Sequence, residues 1–332
     1  VPNAEKLPVF RTVARAYGFA FGNLATIIGL VWLPLLLLAG SAYFLAVEVL
    51  SVVAGFSSGG AAVVDELQRT GFVFYYFLFA VILLYAVMAV PVMRQALGLR
   101  TGGAFVHFGL GAAELRTFAA LFLLYLLVTT VSIVSIYAFV LLFLVVAAGA
   151  GVLGTIAGIS PAVVTGASAI AAWIVYFAAT IYVDVRLSYF VVAVTVAENR
   201  IDLMHAWNLT RGKFWRIFWI LCAIRVPLMI IAGAFAATIL GIFFGAGGML
   251  AKPGSGFGAT GSLEAVRHLL PVLIGIALFL EPMRLGLESG ASAASFRALV
   301  PPDAAPPVDR PVTDSAPGDL RATDLAQAVA AS

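Results

Sequence analysis

The sequence predicts an all-α integral membrane protein, a six-span helical bundle with amphipathic helices on its cytoplasmic face. Three observations predict it. The 332 residues are 63% hydrophobic and only 11% charged, against roughly a quarter charged in soluble domains. The apolar runs are long and continuous, with none of the period-two alternation of barrel strands. Lys and Arg collect at alternate span ends. A net charge of +3 spread over so few charged residues carries no nucleic-acid signature.

The first 22 residues read as a cytoplasmic segment. Over 1–18, Lys6, Arg11 and Arg15 share one face of an amphipathic helix, and Phe10, Val13, Ala14 and Tyr17 share the other. Such a helix is expected to lie on the membrane surface. The first apolar run starts near Phe19 and exceeds the roughly 7–15 residues of a signal-peptide core, so it is expected to remain as an anchor.

A spanning helix needs about 20 apolar residues. Span one is expected from about Asn23 to Val47, bent at Pro34 and ending near Glu48, followed by a polar loop containing GFSSGG and Arg69. Span two runs from about Phe72 to Val92. The stretch from Met93 to Arg116 carries Arg94, Arg100, His107 and Glu114 and reads as one or two short surface helices. Thr117 to Val183 contains no charged residue and is too long for one crossing. The glycine-rich GAGVLGTIAGISP, 149–161, is the expected turn between span three (Thr117 to Ala148) and span four (Ala162 to Val183). Span three exceeds a single crossing and should tilt or extend beyond the bilayer.

A second polar hairpin follows. Glu198, Asp202, His205 and Asn208 fall near helical spacing, and Gly212 is a helix stop. Span five runs to about Gly245 with a bend at Pro227, a glycine-rich loop covers 245–262, and span six runs from about Val266 to Leu287. The membrane domain is thus 23–290. The remainder, 291–332, reads as a Pro- and Ala-rich disordered cytoplasmic tail.

Orientation follows from the basic residues. One set of segments holds Lys6, Arg11, Arg15, Arg94, Arg100, Arg116, Arg186, Arg200, Arg211, Lys213, Arg216, Arg284 and Arg297, and the opposite set only Arg69, Lys252 and Arg267. Both termini are therefore expected to be cytoplasmic.

The stretch AWNLTRGKFWRIFWI, 206–220, holds three of the five tryptophans beside three cations. Arg211, Lys213, Arg216, Trp215 and Trp207 form a candidate interface with anionic lipid headgroups. With the preceding YVDVRLSYFVVAVTVAENRIDLMH it resembles a signature of bacterial inner-membrane proteins similar to the membrane domain attached to some glycerophosphoryl diester phosphodiesterases. The matching residues are Arg186-Leu187-Ser188, Glu198, Trp207, Leu209-Thr210-Arg211-Gly212 and Trp215-Arg216. Ala16-Tyr17 and Trp32-Leu33-Pro34 resemble the alphaproteobacterial members. The resemblance implies a multi-span helical fold and does not by itself imply catalysis, because the enzyme part of those proteins is a separate soluble barrel.

The candidates for chemistry are thin. His107, His205 and His268 show no helical zinc spacing, and the single Cys222 excludes an internal disulfide. GASA, 166–169, lacks a base for Ser168, and GSGFGATG, 254–261, follows a membrane helix rather than a strand. Asn208-Leu209-Thr210 fits a glycosylation sequon but falls on the cytoplasmic side. No catalytic, cofactor or metal residue is expected.

The charges within spans carry more weight. Asp184, Arg186, Arg225, Glu281 and Arg284 gather toward the cytoplasmic third. They predict either an anion-binding vestibule or structural ion pairs such as Arg225 with Glu281. The expected function is a non-catalytic protein that binds anionic lipid, or scaffolds a membrane complex or homo-oligomer. A small-molecule or lipid transporter or channel is the alternative.

Overall fold

The computed structural model describes residues 8–58, 62–99, 109–157, 161–250 and 259–300. Among them there is no strand, and the eight helices are α1 (Val9–Gly22), α2 (Leu24–Ser58), α3 (Ala62–Ala96), α4 (Ala112–Ala157), α5 (Pro161–Glu198), α6 (Leu203–Thr210), α7 (Phe214–Leu250) and α8 (Ala259–Leu299). Six of these, all but α1 and α6, are long and apolar enough to cross a membrane. The chain is a multi-pass α-helical membrane protein.

The helices outrun their apolar segments. α4 has 46 residues, about 69 Å at 1.5 Å per residue, against a hydrocarbon layer of about 30 Å. Residues 149–157, expected as a turn, continue α4, because glycine in an apolar helix is tolerated when no competing cap is present. Likewise α2 runs past Glu48, which lies inside the helix and pairs with Arg69 at 2.6 Å. α7 continues through 245–250 and α8 begins at Ala259. α8 also runs on to Leu299, so the helical domain passes the expected boundary at 290. Residues 301–332, most of the expected tail, lie outside the described residues.

The segment from Met93 to Arg116 does not form separate surface helices among its described residues. α3 ends in a tight cap in which Gly98, at φ 66°, and Leu99 donate backwards to Gln95 and Arg94. Arg297 adds a hydrogen bond to the Ala96 carbonyl at 3.0 Å, a cation on the negative end of α3. Glu114 and Arg116 already belong to α4. His107 and Arg100 lie outside the described residues.

Packing is concentrated at one end of the bundle. α8 is its hub, touching α1, α2, α3, α5 and α7. The largest buried side chains, including Phe190, Ile217, Ile220, Ile224 and Leu287, meet there. Away from that end the α2–α3 and α4–α5 hairpins expose large apolar side chains such as Tyr76, Val145 and Ile174, as lipid-facing helices do. Apolar grooves remain in these hairpins: about 460 Å³ beside Phe44 and Tyr76, and about 230 Å³ beside Ile136 and Trp173.

α1 is not a free surface helix. It starts at Val9 and buries Thr12, Ala16 and Ala20 rather than Val13, Ala14 and Tyr17. This stripe of small residues meets Gly286 and Gly290 on α8. A Cβ at Gly290 would lie 3.2 Å from the Ala16 Cα, and one at Gly286 3.2 Å from the Ala20 Cβ. Small residues four apart on both helices permit that backbone approach, the packing mode of membrane helices. Phe10, Arg11 and Arg15 remain exposed.

Candidate functional site

The aromatic-basic site is built where α5, α6 and α7 meet. α5 ends at Glu198, and Asn199 takes a left-handed φ of 56°. Its carbonyl is held by Arg116 at 2.7 Å. Asp202 then caps α6 by accepting from the His205 backbone N–H at 2.7 Å. Glu198, Asp202, His205 and Asn208 therefore do not share one helical face, because the chain reverses between 199 and 202. Glu198 and Asp202 pair locally with Arg200, at 2.8 and 3.3 Å, and His205 Nε2 lies 3.1 Å from the Glu198 carboxylate.

α6 lies back along α5 and buries Ala206 and Thr210. Thr210 ties the two helices together: its hydroxyl donates to the Trp207 carbonyl at 2.7 Å and accepts from Arg186 Nη1 at 3.4 Å. Arg211 is extended at φ −60°, ψ 126°, Gly212 follows at φ 74°, and Lys213 N–H closes onto the Thr210 carbonyl at 3.0 Å. This is a type II turn, which demands glycine at its third position. It launches α7 at Phe214. The Leu-Thr-x-Gly part of the signature thus has a physical role: a buried threonine strut followed by the turn that aims span five.

The aromatic rings form one continuous cluster. Tyr182 stands 6.2 Å from Trp207 and 5.2 Å from Phe214, and Phe214 leads through Phe218 to Trp219. Trp207 is half-buried in this cluster, whereas Trp215 and Trp219 are exposed. Arg211 is exposed, and Lys213 and Arg216 are half-exposed. None of the three pairs with a carboxylate among the described residues. Partial burial and then repulsion by Arg216 lower the Lys213 ammonium below its ordinary value. Two close cations therefore stand without a counterion among the described residues.

The intramembrane charges divide in two. Arg186 leaves the polar group. Its guanidinium stacks over Trp207 at 4.3 Å and over Tyr182 at 5.4 Å. The others form a brace across α5, α7 and α8. Arg225 donates to Asp184 at 3.1 Å and to Glu288 at 2.9 Å, not to Glu281. Glu281 is taken by Arg284, one turn along α8, which also reaches Glu288 at 3.5 Å. The Tyr85 hydroxyl lies 3.5 Å from Glu288, and its ring faces Arg284. Glu288, at 14% side-chain exposure, is the most desolvated of these charges and their centre. Sequence reading missed it because span six was expected to close at Leu287. The i, i+4 spacing of Arg284 and Glu288 was the signal that could have found it.

A cavity of about 100 Å³ adjoins the brace, lined among others by Tyr85, Ser188, Tyr189, Arg225, Glu288 and Ser292. Its lining is mixed, with Met93, Leu121, Val192 and Leu221 beside these polar groups, and its size suits a few waters. Both arginines of the brace are already engaged by carboxylates, and three acids face two bases, so an anion finds no spare positive charge there. No group of three or more His, Cys, Asp or Glu able to hold a metal occurs among the described residues. Cys222 is a half-buried free thiol. The Ser168 side chain and residues 254–258 of the glycine-rich loop lie outside the described residues.

No family model, curated protein or solved structure matches the chain. The class is therefore defined by the fold alone: a polytopic α-helical membrane protein whose packed end carries a basic-aromatic cluster.

Proposed function

We propose that the chain is a non-catalytic inner-membrane protein of a bacterium, with its packed, basic end at the cytoplasmic face, and that it binds anionic lipid headgroups there. The observation that carries this reading is the contrast between two sets of cations. Arg225 and Arg284 are engaged by carboxylates, whereas Arg211, Lys213 and Arg216 meet none among the described residues and stand beside exposed Trp215 and Trp219. Aromatic rings at headgroup level with uncompensated cations are what an anionic leaflet attracts. The resemblance of 182–220 to the membrane domain of some phosphodiesterases supports a membrane-embedded role. Lipid held in this way fits an accessory or scaffold subunit of a membrane complex, or a homo-oligomer.

The test is lipid retention. Full-length protein is reconstituted in nanodiscs of mixed phosphatidylglycerol and phosphatidylcholine, and co-released lipid is counted by native mass spectrometry. Wild type should enrich phosphatidylglycerol. The triple variant Arg211→Gln, Lys213→Gln, Arg216→Gln should lose that enrichment while keeping its melting temperature. Equal retention of both lipids by wild type would sink the reading.

A transporter or channel is the second reading, favoured by one observation, the cavity beside the charged Arg225 and Glu288 within the bundle. Solute flux into proteoliposomes that disappears in Glu288→Gln would promote it.

A further inference from the structure

We infer that Arg186 is the residue that grips the phosphodiester of a bound lipid headgroup; this rests on the anionic-lipid reading above and names the contact that fixes the lipid. The argument begins with the donors of one guanidinium. Arg186 Nε donates to the Tyr182 hydroxyl at 3.2 Å and Nη1 to the Thr210 hydroxyl at 3.4 Å. The plane is held over the Trp207 ring at 4.3 Å. A guanidinium has five N–H donors, and Nη2 makes no hydrogen bond among the described residues. Asp184, two residues away, is committed to Arg225 on another helix.

Arg186 is thus a half-buried cation, oriented by three neighbours, with unused in-plane donors and no carboxylate partner among the described residues. The aromatic faces above it accept its charge but not its in-plane N–H groups. Nη2 is not among the buried polar atoms that lack a partner, so its donors stand open at the surface, held in a fixed orientation, to meet an external acceptor. The two non-bridging oxygens of a phosphodiester match the guanidinium fork, which a lysine ammonium cannot reproduce. The location fits a lipid. The Tyr182 ring that flanks Arg186 also touches Phe214, whose neighbours Trp215 and Lys213 belong to the exposed cluster. Lys213 and Arg216 then select net negative charge, whereas Arg186 holds the phosphate that every phospholipid shares.

This division of labour gives the experiment. Release of fluorescent phosphatidylglycerol and phosphatidylcholine is followed from nanodisc-reconstituted wild type, Arg186→Lys and the triple Arg211→Gln, Lys213→Gln, Arg216→Gln variant. Arg186→Lys keeps the charge but loses the fork. It should weaken retention of both lipids by about tenfold, the worth of one charge-assisted hydrogen bond. The triple variant should lose only the preference for phosphatidylglycerol. Trp207→Phe, which keeps a ring with a weaker face, should move retention of both lipids in the same direction as Arg186→Lys, and serves if the lysine variant does not fold. Wild-type retention in folded Arg186→Lys and Trp207→Phe overturns the assignment, and the lipid reading still stands if the triple variant loses its preference. No change in any variant overturns both. Displacement of the labelled lipid by soluble glycerol phosphate at matched concentration also overturns it, because the site would then serve a free phosphate ester.

Discussion

Single side chains repair what membrane helices break. Pro227 removes the N–H that would bond the Ala223 carbonyl one turn earlier in α7. The Tyr17 hydroxyl of α1 donates to that carbonyl at 3.1 Å, across 206 residues of sequence. Tyr17→Phe should therefore cost about 1 kcal/mol of stability, the net worth of one hydrogen bond. In a Pro227→Ala background, where the N–H at 227 is restored, it should cost much less. A double-mutant cycle of thermal melts in detergent measures the coupling, and additive effects would refute the repair. Lys213 supplies the pH prediction. Its folded value lies below the ordinary 10.5, so the unfolded chain holds this proton more tightly. The charged form costs stability below the folded value, and the cost vanishes as pH rises toward 10.5. Stability should accordingly increase slightly with pH across that window, while phosphatidylglycerol retention falls as the charge is lost. Lys213→Arg should abolish both trends, as read by melts and lipid counts over an alkaline pH series.

At the scale of elements, contact between α1 and α8 depends on the absence of side chains. Gly290→Ala places a methyl 3.2 Å from the Ala16 backbone and 3.0 Å from the Phe19 ring, whereas at Gly286 the nearest atom, 2.8 Å away, is the movable end of Ile27. Gly290→Ala should cost about 1–3 kcal/mol and loosen α1; Gly286→Ala should cost less. Protease susceptibility near Arg11 and Arg15, alongside melting temperature, reports this ordering. The turn into α7 has a similar demand. Gly212, at φ 74°, has open space around it, so Gly212→Ala meets no clash and pays only for its backbone, about 1–2 kcal/mol. These contacts were illegible in the sequence for a shared reason. Hydropathy and helical period are properties of neighbours along the chain; they predicted a helix at α1 but put Phe10 and Ala14 on its apolar face, where both are exposed. The choice of Thr12, Ala16 and Ala20 as its buried stripe depends on α8 offering two glycines at matching height.

Across the whole molecule, α5, α7 and α8 are clamped by Arg225 between Asp184 and Glu288. Arg225→Ala leaves two carboxylates without their shared partner. It should destabilise the bundle by about 1–3 kcal/mol, at the lower end of buried-pair losses because Arg225 and Asp184 are each 39% exposed. Melting temperature in detergent checks the loss. High salt should weaken lipid retention at the exposed cations while barely moving the brace.

The sequence by itself determined the class of protein, the number of spans and the end of the bundle that gathers positive charge, because each is a sum over consecutive residues. It also singled out the segment 206–220, which lies where α5, α6 and α7 meet. It could not assign partners. Arg225 was matched with Glu281 when its acids are Asp184 and Glu288, and Arg186 was placed with the acids when it stacks on Trp207. Helix crossing decided these outcomes. An arginine on one membrane helix can reach several carboxylates, and only the packing of α8 against α5 and α7 sets which of them it meets.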